Sequence, residues 1–329
     1  MMKFPNRKLT RVLVQAFCVF VVSNAAVSAQ STTEADALAA VKLATNPTTK
    51  LTAAEDFIAK FPNSSARVDV AEVIAGEILK VKNGMVALTL LERAHAIFTS
   101  EKEREILKPA ALEAYVIGNK PDEAFALAAE MLAKNPDDIQ VLTRMTQEGT
   151  EEASKKNRKY ANISLQYGLK AITLLEPDTK PARLANEVWT TQRGKLDRLY
   201  QQTAILYLAV GNAQEAKTRL TKATTLSPRD PSNYALLARV INVDYLTQKD
   251  AYEAMKDVKS KQEVQTKLEA LLDSMIDAYA RAVGLATGRV EYQSLLQSVI
   301  PDLTVYYKLR HNQSIKGLQE LINRYRMAP

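Results

Sequence analysis

The 329-residue sequence predicts an all-α fold: an α-α superhelix, or solenoid, of helical hairpins with an irregular C-terminal half. Three observations predict it. Alanine, leucine, lysine and glutamate dominate, while glycine (10 residues) and aromatics (6%) are scarce, and that is the composition of a chain of helices. Small and apolar residues recur at helical spacing and stop at glycine, asparagine or proline. No sustained apolar–polar alternation flanked by hairpin turns marks a strand. Asn83-Gly84 has helical periodicity on both sides and reads as a helix–helix turn.

Residues 1–29 read as a secretory signal peptide. Lys3, Arg7, Lys8 and Arg11 precede the apolar run "VLVQAFCVFVV" (12–22), and "Val27-Ser28-Ala29" supplies small residues for cleavage after Ala29. The run is about half the ~20 residues a membrane-spanning helix needs. Removing the four basic residues leaves 40 basic against 37 acidic residues. A net +3 over about 300 residues is no electrostatic footprint for nucleic acid. Cys18 is the sole cysteine, so cleavage is expected to leave no disulfide, thiol nucleophile or thiolate metal site. These features imply an exported protein, periplasmic or secreted, with no stable membrane span after cleavage.

Residues 30–48 form an N-terminal segment and first helix, of which polar "QSTTEAD" (30–36) is expected to fray. Residues 49–290 are expected to form the helical repeat domain. Its clearest unit is "YQQTAILYLAVGNAQEAKTRLTKATTLSPRDP" (200–231). Tyr200, Ala204 and Tyr207 share one helix face, Gly211-Asn212 breaks the helix, and Ala216, Leu220 and Ala223 share a face of the next. Ser227-Pro228 stops it, and Asp230-Pro231 starts another with proline in the first turn. Gly118-Asn119, Ala124 and Pro136 repeat the design; Ala75, then Ala87, Leu91 and Ala94, follow it too. "LTAAEDFIAKFPNSS" closes at Pro62, and "ISLQYGLKAITLLEP" carries Ala171 and Pro177. Tyr234 and Ala238 mark a further first helix, Tyr279 and Ala282 a late second one.

This pattern resembles the tetratricopeptide repeat family, with Tyr200, Ala204, Tyr207, Ala216, Leu220 and Pro228 in the family's conserved places and Thr203 where a leucine is usual. Small residues let paired helices approach; bulky ones fill the space beside them. The chain departs from the family in spacing. Anchors at Ala87, Ala124, Ser164, Ala216 and Met275 lie 37 to 59 residues apart, against about 34 in the family. Longer helices or insertions near 179–200 and 247–269 must absorb the excess. Residues 291–329 read as two capping helices, the first kinked or split at Pro301.

Signals of bond chemistry are missing. His95 and His311 lie far apart, and no H-x-x-x-H, CxxC, calcium-loop, phosphate-loop or G-x-S-x-G pattern occurs. Asp137-Asp138 and Glu151-Glu152 are expected at helix starts or on solvated faces, within or near the charge run 151–159. No catalytic residue, cofactor or metal site is therefore assigned. Trp189 reads as a packing anchor in a long helix, with an exposed partner contact as the alternative. The resemblance implies a concave groove, lined by first helices, that takes a protein or peptide segment. Carried over, it points to Arg198, Gln201, Ile205 and Leu208 in one repeat and Ala235, Arg239 and Asn242 in the next. Ile205 and Leu208 are apolar where a carboxylate-clamping relative has polar donors. The expected role is an interaction scaffold in a cell-envelope assembly. The alternatives are an envelope enzyme or its accessory domain, and a membrane-anchored structural protein.

Overall fold

The computed structural model describes residues 33–326, so the predicted signal peptide lies outside the described residues. Those residues form fifteen α-helices, one 3-10 turn and no strand. Seven of these helices begin where a short polar side chain takes up a free amide. α1 (Glu34–Leu43) starts inside the stretch expected to fray: Thr33 accepts from the Asp36 amide, and the Asp36 carboxylate reaches back to Thr33. That reciprocal cap orders residues 33–36. α2 (Pro47–Lys60) and α3 (Arg67–Lys80) follow, then α4 (Gly84–Ile97), capped by Asn83. α5 (Glu101–Ile117) has a Ser100–Glu103 capping box. α6 (Pro121–Lys134) starts on proline, and α7 (Ile139–Ser154) is capped by Asp138. α8 (Ala161–Leu175) and the short α9 (Asn186–Arg193) complete the first half.

The 200–231 unit folds as its spacing predicts. α10 (Leu196–Ala209) ends before Gly211, whose φ of +83° suits only glycine or asparagine well. Asn212 caps α11 (Ala213–Leu226), and Asp230-Pro231 opens α12 (Pro231–Ala254). At the corresponding turn after α5, Asn119 rather than Gly118 takes the positive φ, at +55°. α13 (Val258–Ala286), a 3-10 turn (Val290–Tyr292), α14 (Gln293–Arg310) and α15 (Leu318–Asn323) follow.

Nearly every helix packs on its neighbours in sequence, and several also pack on the helix two positions away, as α3 does on α5 and α8 on α10. The pairs α1/α2, α3/α4, α5/α6, α7/α8, α10/α11 and α12/α13 are the hairpins, and each second helix also meets the next first helix. The core is a string of clusters along this stack rather than one centre. The predicted small anchors Ala87, Ala124, Ala171, Ala204, Ala216 and Ala238 are completely buried. Glycines make the tightest notches. A Cβ on Gly149 would lie 1.8 Å from Ser164 Oγ across α7 and α8, and one on Gly168 would lie 2.6 Å from Thr203 Cγ2 across α8 and α10. The small Thr203 stands where the leucine was expected, and it is fully buried there.

The irregularity has two sources, at the two predicted segments. One is α9, inserted between two hairpins. The other is helix length: α12 has 24 residues and α13 has 29. Pro301 does not split its helix, because α14 runs unbroken from Gln293 to Arg310. A proline removes only one helical hydrogen bond, and Val299, Leu303 and Tyr307 around it are buried in the terminal core.

Candidate interaction groove

A cavity of about 620 Å³ opens on the side of the stack formed by first helices. α5 and α7 each pack on α6, and their most direct tie is an ion pair: Arg144 Nε donates to Glu113 Oε2 at 2.8 Å. The gap beside that tie is the groove. Leu79, Pro109, Leu112 and Met131 from α3, α5 and α6 line one end. Gln140, Val141, Thr143, Arg144 and Gln147 of α7 form the floor. Gln192 of α9, Lys195, and Arg198, Leu199 and Gln202 of α10 form the far end.

α9 is there because Trp189 holds it. The indole is buried, its Nε1 donates to the Leu174 carbonyl at 3.1 Å, and the Arg193 guanidinium lies 4.9 Å over the ring. Trp189 is thus a packing anchor, in a helix of only eight residues. The loop before it is tied down by Asp137, which pairs with Lys170 at 3.1 Å and with Arg183. Asp137 is therefore buried rather than solvated, while Asp138 caps α7 as expected. Glu152 corrects the other carboxylate pair: it is 5% exposed, bonded to Lys155 and Asn157.

Behind the floor lies Glu148, 3% exposed, with Arg144 Nη1 at 3.8 Å. Burial pushes its carboxyl above the usual carboxylate range; Arg144 opposes the shift. Arg144 Nη1 is itself buried without a hydrogen bond. Arg144 thus sits between two carboxylates, one hydrogen-bonded and one not.

Of the predicted lining residues, the structure brings only Arg198 into this groove. Gln201 instead donates to Asn233 Oδ1 at 3.1 Å, toward α12. Ile205 and Leu208 lie farther along α10, half-buried. Ala235 is buried at 2% exposure and presents no surface. α14 covers the other two: Arg239 donates to Ser298 Oγ at 3.3 Å, and Asn242 accepts from the Tyr306 hydroxyl at 2.8 Å. The residues missed are those of α7. Their signal was present, since Gln140, Thr143, Arg144 and Gln147 keep helical spacing opposite the buried Ile139, Leu142 and Met145.

His95 is exposed on α4, while His311 ends α14 with its ring 4.1 Å from that of Tyr307. Among the described residues no group of three or more His, Cys, Asp or Glu could hold a metal, and no helix is long and apolar enough to cross a membrane.

No family model matches the chain, and no curated protein does. A solved structure published as "Functional Characterization of Pseudomonas Aeruginosa pilF" aligns with 77% of this chain and 95% of that one. The identity is 16% and the TM-score 0.38. That likeness assigns no activity or partner to this chain.

Proposed function

We propose that this chain is a non-catalytic interaction scaffold of the tetratricopeptide type, exported from the cytoplasm, whose α5–α7–α10 groove holds an extended protein segment. One observation carries the reading: the groove is lined by three successive first helices and furnished with side-chain amides. Gln140, Gln147, Gln192 and Gln202 each offer a donor and an acceptor, and Thr143 adds a hydroxyl. An extended backbone presents the same two groups at every residue. α7 packs on α10 at the ~8–10 Å of touching helices, while α5 stands off from α7, so the path from α5 across α7 to α10 is at least roughly 20 Å long. That is the reach of about six extended residues.

Gln147→Trp tests the reading. Gln147 is exposed, so the substitution fills the groove and spares the core. Cross-linked partners recovered from the native cell envelope are expected to be lost with the variant, while its helical circular dichroism stays unchanged. An unaltered set of partners would remove the groove from the mechanism. Mass spectrometry of the natural protein tests the export reading. An N-terminus at Gln30 supports it, and retained Met1 supports the anchored alternative.

A further inference from the structure

The groove is chemically different at its two ends, and that difference specifies its occupant. At the α5 end Leu79, Pro109, Leu112 and Met131 form an apolar surface. At the other end stand Lys195 and Arg198, both exposed, and neither has an acidic partner among the described residues. The two acids in the lining are already engaged. Glu113 holds Arg144 at 2.8 Å, and Asp138 Oδ1 accepts the Gln140 and Val141 amides at 3.1 and 3.2 Å. Two cations therefore face the groove without compensation.

We propose, on the groove reading above, that the occupant is an acidic protein segment. It places an apolar side chain against Pro109 and Met131 and a carboxylate on Lys195 and Arg198. The two contacts are separated by the α7–α10 step and the wider α5–α7 gap, at least roughly 20 Å less the reach of the side chains. An extended chain rises ~3.3 Å per residue, so the apolar and acidic residues stand about five or more positions apart. The amides of Gln140, Gln147 and Gln202 take the intervening backbone. Long-range attraction to the two cations also speeds capture and makes it salt-dependent.

Fluorescence anisotropy of the full chain with labelled synthetic 12-residue peptides tests this. One peptide carries Leu and Asp five apart in a Gly/Ser background. The others place them adjacent, replace Asp by Lys, or replace Leu by Ala. The first is expected to bind about tenfold tighter than each of the others. Lys195→Glu with Arg198→Glu is expected to reverse the preference, so that the Lys peptide binds better than the Asp peptide. Both residues are exposed, so the fold is spared. Equal binding of the Asp and Lys peptides, or a preference unmoved by the double reversal, would overturn the proposal. So would the failure of every peptide at about 1 mM. The Gln147→Trp variant separates the two readings. If it abolishes binding that shows no charge preference, the groove stands and the acidic occupant falls. If all binding survives it, the groove falls as well.

Discussion

Gly149→Ala adds one methyl group where the stack has least room. The new Cβ would lie 1.8 Å from Ser164 Oγ and 2.3 Å from Ser164 Cβ. Carbon atoms sit comfortably at ~3.5–4.0 Å, so the gap must open by more than about 1 Å. The Ser164 hydroxyl can rotate away; its Cβ cannot. Relief must come from moving α7 off α8, at an overpacking cost of typically 1–3 kcal/mol. A second effect opposes it, since alanine is the better helix former by ~1 kcal/mol. The clash is with a backbone-anchored atom in a buried contact, so overpacking wins. A net loss of about 1–2 kcal/mol is expected. With an unfolding entropy of ~2 cal/mol/K per residue over about 300 residues, the Tm falls by roughly 2–3 °C. Ser164 also gives the control. It is fully buried and its hydroxyl has no hydrogen-bond partner, so Ser164→Gly removes both the clash and an unsatisfied group. In a double-mutant cycle read by circular dichroism melts, Gly149→Ala is expected to cost less in the Ser164→Gly background, with a coupling of about 1 kcal/mol or more. A Gly149→Ala protein as stable as the parent, or stabilised by the propensity gain, would refute the close approach of these helices.

Other predictions follow from buried charges and from the insertion. Arg67 Nε reaches Glu103 at 2.6 Å, and Glu103 is 1% exposed; Arg67→Ala leaves that carboxylate unpaired and is expected to cost about 3–5 kcal/mol in chemical denaturation. Burial opposes Glu103 ionisation, but the Arg67 and Ser100 hydrogen bonds outweigh it and hold its carboxyl below the ordinary 4.5. This contribution is therefore present above about pH 4.5 and lost as pH falls through the folded value, so Glu103→Gln should lag the parent at pH 7, with the gap narrowing in melting experiments as pH falls below about 4.5. Glu148 has the opposite sign: burial raises its folded pKa above the ordinary 4.5, so its ionised form weakens the fold at neutral pH. Glu148→Gln is expected to melt above the parent at pH 7, with the gap closing as pH falls through the raised folded value toward 4.5. Trp189→Phe leaves the Leu174 carbonyl without its indole donor, at about 1–3 kcal/mol; faster amide exchange across 186–193 than across α10 is the expected signature.

The hairpins were legible because their determinants are local. Breaks at Gly211-Asn212, Ser227-Pro228 and Asp230-Pro231 and the buried faces of Ala216, Leu220 and Ala223 depend on near neighbours in the chain. The excess spacing was legible too, as were the two segments that absorb it. The groove was not. Its position depends on the divergence of α5 from α7 and on an insertion folding back as α9. Neither follows from the residues of any one repeat. The positions carried over from α10 and α12 therefore coincide with the cavity lining only at Arg198, and its floor is on α7. Likewise Pro301 was expected to kink or split its helix from its missing amide alone, but Leu303 and Tyr307 are buried around it and the helix is not split.

Helix periods, caps and small-residue notches act over a few residues, so the all-α hairpin stack and the places where its regularity ends could be read from residue order alone. Which faces stay open, which carboxylates are buried and which cations are left unpaired are settled by contacts between residues tens of positions apart, such as Arg144 with Glu113 and Asp137 with Arg183. Only the packed tertiary structure brings those partners together.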